Sequence, residues 1–424
     1  MGNDLLKSAQ QYESESKWIE AANQYTILLA DSPTVDFYER AAWCFSRASE
    51  YKKAIPLFLI LNELEPLSAK WPYMTGYQYY CQKDWVNAIA WFEKALERFP
   101  DYFVVKYRLA YAYIQASGTY KKLTKAEYWK AIGHLKDCHK LWSAFDEHKK
   151  KKEQSTYFDV NFLHGKVLMD LPNHYLEAIE LFQVALSIKP TDEFAKYNLA
   201  KTFYLNGEYQ KAKLNVPSGN QYYIVELTAY IEAKLGNYSL AVSVIEKLLL
   251  RRKKDYLYAF LAEVYLLDGS LEKAYAASQQ ALTNGSNNHK NYYIAAKVFY
   301  RFGLLDKTIE NLDRAIKMKH EKYEISYLEC EELRNKVLQD RAPDYADDHA
   351  LIERLQGFAS PVYSQGVVCK YNGERGFGFV RSESKDVFFH ISNCRYDHVA
   401  IGDKVQFMTA TTDKGVAATN VRKI

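Results

Sequence analysis

The chain has 424 residues, of which 48% are hydrophobic and 25% are charged, and its formal net charge is +4 at pH 7. A chain of this length exceeds one ordinary hydrophobic core, and its apolar fraction suffices for folded structure, which excludes an intrinsically disordered chain. The small net charge excludes a basic field over the whole molecule, so any nucleic-acid footprint has to be local.

The cysteines are scattered and form no C-x-x-C pair, which predicts reduced thiols and no metal centre. They stand at Cys44, Cys81, Cys138, Cys330, Cys369 and Cys394. The amino-terminal residues carry no long apolar run, and no window approaches the roughly 18 apolar residues of a membrane span. We therefore expect a cytoplasmic protein without a membrane partner.

A small residue followed four positions later by a large one recurs along most of the chain. The pairs are Ala21/Tyr25, Ala54/Phe58, Ala88/Phe92, Ala131/Leu135, Ala178/Phe182, Ala241/Ile245 and, as a weak copy, Ala274/Ser278. With Ala212 and Thr308 added, successive anchors lie 33, 34, 43, 47, 34, 29, 33 and 34 residues apart. The commonest spacing is the period of a two-helix repeat of about 34 residues.

Turn residues stand at fixed distances from these anchors. Three positions before them come Trp18, Tyr51, Trp85, Tyr128, Tyr175, Tyr209, Tyr238, Leu271 and Leu305. Five positions before the later anchors come Gly207, Gly236, Gly269 and Gly303, and twelve positions after four anchors come Pro33, Pro66, Pro100 and Pro190. Glycine permits the left-handed turn that ends a first helix, and proline stops a second helix. The pattern predicts pairs of helices that cross closely at the small anchor.

This pattern resembles the tetratricopeptide repeat family over roughly residues 4 to 338. The resemblance implies an all-α superhelical solenoid of about nine helix pairs at 1–340, with a groove along its first helices for a protein or peptide partner. Placed by the anchors, the groove side chains are Tyr73, Tyr77, Tyr80, Tyr197, Lys201, Tyr204, Tyr223, Tyr230, Tyr293, Lys297 and Tyr300. These tyrosines either contact the partner, for which large polar-tipped rings are suited, or pack between helices.

Three irregular spacings interrupt the period. The two long ones predict extra segments near 117–124 and 143–156, and the second holds the basic run Lys149–Lys152 in an expected loop. Such a run is either simply solvated or contacts nucleic acid. The short spacing follows Asn215–Gly219, which predicts a truncated second helix and leaves open a hinge or a partner site there.

After about Asp340 the helical repeat stops. We interpret 341–361, with Pro343 and Gly357, as a linker with a short helix that lacks the apolar content to hold its neighbours together tightly. From about residue 362 the sequence changes to short β-type runs separated by turn residues. The remaining residues, 362–424, predict a small all-β domain of five strands.

Two segments of this domain carry aromatic rings at alternating positions. Phe377 and Phe379 lie in the first segment, and Phe388 and His390 lie in the second. Because every second side chain of a strand faces the same way, we expect these four rings to share one exposed face. The glycines between them are expected to let a nucleic-acid backbone approach. A surface of this kind stacks unpaired bases.

From Gly366 onward the sequence resembles the bacterial-type cold-shock domain, a five-stranded OB-type barrel. The resemblance implies binding of single-stranded RNA or DNA. Matched residue by residue, its base-contacting positions fall on Tyr371, Phe377, Phe379, Asp386, Phe388 and His390. Lys370 replaces a family tryptophan, so we expect weaker binding with Lys370 on phosphate. A barrel retained only for docking to a protein or the ribosome is the alternative.

The chain is thus predicted to be a non-enzymatic adaptor without a cofactor, with a protein in the solenoid groove and single-stranded nucleic acid on the barrel. No Walker loop, H-E-x-x-H motif or nucleophile elbow occurs in the sequence. The alternative is a sensor or regulatory subunit of a stress or antiviral defence system that acts on a separate effector enzyme. The choice between RNA and DNA and the identity of the partner stay open.

Overall fold

The computed structural model describes residues 2–118, 125–283, 286–340, 347, 349–359, 364–373, 376–382, 385–394, 396, 398–412 and 415–424. The chain divides into two compact units, Met1–Gly219 and Asn220–Ile424. Each unit is built from helix pairs, and the second also contains a β-barrel.

The first unit consists of helices in which each contacts the next along the chain. They are α1 (Gly2–Ser14), α2 (Trp18–Asp31), α3 (Val35–Arg47), α4 (Tyr51–Leu64), α5 (Lys70–Cys81), α6 (Trp85–Arg98), α7 (Phe103–Ser117), α8 (Ala126–Ala144), α9 (Glu147–Leu168), α10 (Tyr175–Ile188), α11 (Glu193–Leu205) and α12 (Tyr209–Asn215). Helix α12 has only seven residues, which confirms the predicted truncation before Val216.

The anchors lie where two helices cross, as the repeat predicts. All nine, from Ala21 to Thr308, are fully buried. The residue three positions before an anchor is the first residue of a second helix in eight repeats, whereas α8 begins two residues ahead of Tyr128. The helices before Pro33, Pro66, Pro100 and Pro190 end two residues ahead of the proline. These features confirm the tetratricopeptide-type helix pairs.

The turn inside most pairs contains a left-handed residue five positions before the anchor. Gly207, Gly236, Gly269 and Gly303 have φ between 72° and 83° there. In three early repeats the equivalent position is not glycine, yet Ser16, Ser49 and Lys83 have φ of 58°, 61° and 61°. A residue with a Cβ atom is destabilised by about 1 to 2 kcal/mol in the left-handed region, so these three turns are strained.

Lys83→Gly is expected to raise the free energy of unfolding of the first unit by about 0.5 to 1 kcal/mol, because relief of the left-handed strain exceeds the extra backbone entropy of glycine. Gly207→Ala at the equivalent turn is the matched control. Open space surrounds its Cβ position, so the substitution tests the positive φ without a steric clash. Gly207→Ala should lower the free energy of unfolding of the first unit by about 1 to 2 kcal/mol.

All seven tryptophans lie between Trp18 and Trp142, so tryptophan fluorescence during urea unfolding reports on the first unit alone. Both variants are read by this signal. A loss of stability in Lys83→Gly would show that the lysine side chain contributes more at this turn than its backbone strain costs.

The insertion near 143–156 lengthens helices α8 and α9 and does not form a long loop. Helices α8 and α9 have 19 and 22 residues. The basic run Lys149–Lys152, expected in a loop, lies instead in the first turns of α9, which Asp146 caps by accepting from the Lys149 amide at 2.7 Å. Lys150 pairs with Glu147 at 3.0 Å. The other insertion was predicted near 117–124, and its residues 119–124 lie outside the described residues.

The second unit begins with three further helix pairs and two single helices. They are α13 (Tyr222–Lys234), α14 (Tyr238–Arg251), α15 (Asp255–Asp268), α16 (Leu271–Leu282), α17 (His289–Arg301), α18 (Leu305–Tyr323), α19 (Leu328–Asp340) and α20 (His349–Ala359).

Helix α20 lies where a short helix was expected within 341–361, and it packs against the helical repeats. Its Leu355 is fully buried in the core of the helical repeats, and Leu351 and Ile352 pack against the same core. Asp347 accepts hydrogen bonds from the amides of Asp306 and Lys307 at 3.0 and 3.1 Å, at the start of α18. The interval is therefore partly a docked element of the repeats.

The barrel at the end of the chain closes from five strands. They are β1 (Ser364–Asn372), β2 (Phe377–Ser382), β3 (Lys385–His390), β4 (Lys404–Thr412) and β5 (Gly415–Lys423). Their order around the barrel is β1-β2-β3-β5-β4, with a parallel pairing between β3 and β5. The prediction of a five-stranded OB-type barrel is confirmed.

A compact set of apolar side chains fills the barrel. It comprises Val368, Val380, Phe389, Val405, Phe407, Ala418 and Val421. Tyr371 packs against this core, with its ring 6.1 Å from that of Phe389 and nearly parallel to it. The phenylalanines at 377, 379 and 388 are not needed to fill the interior.

Candidate nucleic-acid interface

The antiparallel pairing of β2 with β3 brings the predicted rings together. Phe377 lies opposite His390, and Phe379 lies opposite Phe388. The strand pleat turns all four side chains to the outside of the barrel, while Phe389 and Val380 point inward. The expected shared face is therefore present in the structure.

Phe388 lies at the centre of this ring face. Its ring centroid is 6.0 Å from that of Phe377 and 5.8 Å from that of Phe379, and the second contact is edge to face. The side chain of Phe388 is 39% exposed, and those of Phe377 and Phe379 are half-buried. Flat apolar surface thus stays open to solvent, with positions fixed by mutual packing.

Tyr371 lies on the opposite side of the sheet from the ring face, in contrast to its predicted position among the base-stacking residues. The β1–β2 register shifts between Val368 and Lys370, so Lys370 pairs with Phe379 and Tyr371 pairs with Gly378. This bulge turns Lys370 outward and Tyr371 inward. On β1, the Lys370 side chain therefore lies beside the ring face, and the Tyr371 ring does not.

Asp386 forms an ion pair with a residue that was not predicted from the sequence. Arg381 lies directly opposite it across β2 and β3. Its Nε and Nη2 donate to the two carboxylate oxygens at 2.9 and 3.2 Å. The Arg381 guanidinium lowers the pKa of Asp386, and Asp386 raises the pKa of Arg381. The alternation Phe377, Phe379, Arg381 already places the arginine on the ring face, but only the strand register reveals its partner.

Gly378 has a different role from the one expected. A Cβ atom there would meet the Lys370 carbonyl oxygen and approach Phe389 Cζ to 2.6 Å. The glycine therefore makes room for the core ring inside the barrel, on the side away from the ring face. Gly376, in contrast, has φ of 63° at the turn into β2, where glycine is favoured.

In the first unit, the predicted groove tyrosines of α5 surround an arginine. Tyr73, Tyr77 and Tyr80 are half-buried. The guanidinium carbon of Arg108, on α7, lies 4.3 Å from the ring centroid of Tyr77 and 5.5 Å from that of Tyr80. Arg108 Nε is buried and has no hydrogen-bond partner among the described residues. Sequence spacing gave no signal for this residue.

The remaining groove positions are largely occupied by contacts within the protein. On α11, Tyr204 packs 5.7 Å from Tyr209, and Tyr197 and Lys201 are half-buried. In the second unit, Lys297 pairs with Glu263 at 2.9 Å, and the Tyr300 hydroxyl donates to Asp340 at 3.0 Å. Three further tyrosines pack against rings, in the pairs Tyr223/Tyr222, Tyr230/Phe260 and Tyr293/Tyr327. The packing interpretation therefore accounts for part of this set.

All six cysteines are free thiols. Within the described ranges, no helix combines the length and apolar character that a membrane crossing requires. In the same ranges, no three His, Cys, Asp or Glu side chains are grouped as metal ligands would be.

Family comparisons agree with the two kinds of domain. The model of the 'Cold-shock' DNA-binding domain matches residues 364–424. The model of the tetratricopeptide repeat matches residues 46–103, and that of anaphase-promoting complex, cyclosome, subunit 3 matches residues 234–315. Cold shock protein CspA of Staphylococcus saprophyticus is 39% identical over 64 residues, which span 14% of this chain and 97% of that protein. CspA of Staphylococcus aureus gives the same values.

Similar solved structures are helical repeat proteins. A thermophilic tetratricopeptide repeat protein of Thermus thermophilus is 22% identical, with a TM-score of 0.38, and the match covers 43% of this chain and 99% of that one. Yeast Tom70 is 13% identical, with a TM-score of 0.36, and the match covers 84% of this chain and 99% of that one. The fold assignment itself rests on the helix pairs described above.

The fold and the ring face define a helical repeat protein that carries an OB-type barrel. The chain belongs to the cold-shock family through residues 364–424 and is a tetratricopeptide repeat protein with a C-terminal cold-shock domain. Tetratricopeptide repeats imply protein interaction, and a cold-shock domain implies nucleic-acid binding.

Proposed function

We propose that this protein is a non-enzymatic, cytoplasmic adaptor whose barrel binds single-stranded RNA or DNA while its repeats hold a protein partner. The observation that carries the proposal is the ring face, in which Phe377, Phe379, Phe388 and His390 face outward although a separate set of side chains fills the barrel. Exposed rings that the core does not use are suited to stack unpaired bases.

The charge of the barrel supports stacking as the main source of affinity. Residues 362–424 hold nine Lys or Arg against six Asp or Glu. Two of the cations, Lys370 and Arg381, lie at the ring face. A weak positive field of this kind adds a few phosphate contacts and a shallow salt dependence. Affinity therefore depends mainly on the rings.

The repeats supply the second half of the proposed role. The α5 tyrosines around Arg108 offer aromatic area and a guanidinium whose buried Nε has no hydrogen-bond partner among the described residues, which suits recognition of a protein segment. Nothing in the fold or in the relatives favours the sensor role with a separate effector enzyme.

The full-length protein is expected to bind a short single strand more tightly than a blunt duplex of the same length, because the rings need unstacked bases. Fluorescence anisotropy with labelled oligonucleotides measures both affinities. Equal affinity for the duplex would contradict base stacking. Failure to bind any single strand at low salt would favour a barrel that docks only to proteins.

A further inference from the structure

Arg381 and Asp386 form a fixed donor group at one end of the ring face. The arginine binds the carboxylate through two parallel hydrogen bonds, so its planar guanidinium is held in one orientation. The Arg381 side chain is 61% exposed and that of Asp386 is 32% exposed. The carboxylate therefore lies behind the guanidinium and positions it toward solvent.

Of the residues that the structure describes, only Asp386 accepts hydrogen bonds from the guanidinium, and it occupies one end. A guanidinium has five N–H donors, and Asp386 accepts from only two of them. The Nη1 group and the second N–H of Nη2 point away from the carboxylate and form an edge with two parallel donors. Among the described residues, no other acceptor contacts this edge.

The strand register places that edge beside a stacked base. The pair Arg381–Asp386 follows the pair Phe379–Phe388 by two residues along both strands, on the same face. Two residues of a strand span about 6 to 7 Å. A base that stacks on one ring of the Phe379–Phe388 pair would therefore lie next to the guanidinium along the strands.

We propose that Arg381, held by Asp386, reads the base stacked at the Phe379–Phe388 pair, and that it selects guanine. This inference rests on the proposed single-strand binding. Two parallel donors require two adjacent acceptors on one rim, which guanine offers as O6 and N7. Unpaired cytosine offers N3 and O2, but as a pyrimidine it reaches less far from the stacking rings. Thymine and uracil place the N3–H donor between their two carbonyl acceptors, and adenine places its amino donor beside N1 and N7.

The inference is tested on the full-length protein with labelled thymidine oligonucleotides that carry one central guanine, cytosine or adenine. By anisotropy, the guanine probe should bind about tenfold more tightly than plain oligothymidine, equal to about 1.4 kcal/mol. Arg381→Lys keeps the charge but loses the planar fork, so the guanine preference should disappear while oligothymidine binding changes less than about twofold. Asp386→Ala should reduce the preference in the same direction.

Lys385→Gln is the matched control, because it removes an exposed cation from the opposite side of β3 and should leave the guanine preference intact. Preference for the cytosine probe would overturn the choice of guanine. Equal weakening of every probe in Arg381→Gln, with a salt slope reduced by about 0.7, would show a phosphate contact and overturn base reading. Equal wild-type affinity for all probes would overturn the inference alone, whereas no binding of any probe would overturn the proposed function as well.

Discussion

Replacing Phe377 and Phe388 together by alanine should weaken single-strand binding by about 2 to 6 kcal/mol, because each ring that stacks a base contributes about 1 to 3 kcal/mol. Phe388 contacts both neighbouring rings, so its loss also loosens the positions of Phe377 and Phe379. Anisotropy with oligothymidine measures the change. An unchanged isotherm in a folded variant would move the binding site elsewhere in the chain.

Two further variants separate ring chemistry from fold. Neither phenylalanine belongs to the barrel core, so the domain should stay folded. Replacing both by leucine retains apolar packing without a π face, and it should weaken binding almost as much as alanine. The matched control is Ile401→Ala with Val416→Ala, which removes two exposed apolar side chains of the same domain, 67% and 55% exposed, that carry no ring. It should leave the affinity within about twofold.

Much of the helical architecture was predictable because the same spacing of small, aromatic and turn residues occurs in repeat after repeat. A small residue such as Ala54 is needed wherever two helices cross, and a proline such as Pro66 follows four of the second helices. The strained turns at Ser49 and Lys83 were not predictable, since neighbouring helices impose the left-handed conformation and the residue itself gives no signal. The docking of α20 depends on the surface that receives Leu355, which sequence alone does not display.

In the barrel, side-chain alternation predicted the ring face correctly along β2 and β3, because both strands keep a regular pleat. On β1, Tyr371 was assigned from the family resemblance alone, and its ring packs against the barrel core. One extra residue at the bulge near Cys369 exchanges the faces of Lys370 and Tyr371, and nothing in the local sequence marks it. The Arg381–Asp386 ion pair could not be predicted from the local sequence, because it depends on which residues of the two strands lie opposite each other.

Burial of three histidines is expected to make the first unit sensitive to acid. His164 is 2% exposed, and its Nδ1 lies 3.0 Å from Nε2 of His139. Burial, followed by the nearby His139, lowers the pKa of His164 to about 3. Burial also lowers the pKa of His139 and of His134. In the folded state all three rings therefore resist protonation at pH values where an unfolded histidine is already charged.

Lowering the pH from about 7.5 to about 5 should therefore remove about 2 kcal/mol of the free energy of unfolding through His164 alone. The unfolded ring has a pKa of about 6.5, so at pH 5 the unfolded state binds a proton that the folded state does not, and unfolding is favoured. The contribution of His164 is complete above about pH 6.5 and is lost progressively toward its folded pKa of about 3. Carboxylates with lowered pKa, such as Asp137, act only at lower pH.

Urea unfolding followed by tryptophan fluorescence at both pH values reads the first unit selectively, since every tryptophan lies there. The informative quantity is the difference between the two pH values within one variant, because a substitution at a buried site also changes the absolute stability. His164→Gln cannot take up the proton and should lose about 2 kcal/mol of that difference. His148→Gln, on the exposed start of α9, should retain the full difference. If the two variants have the same pH dependence as the unmodified chain, buried His164 is not the source of the acid sensitivity.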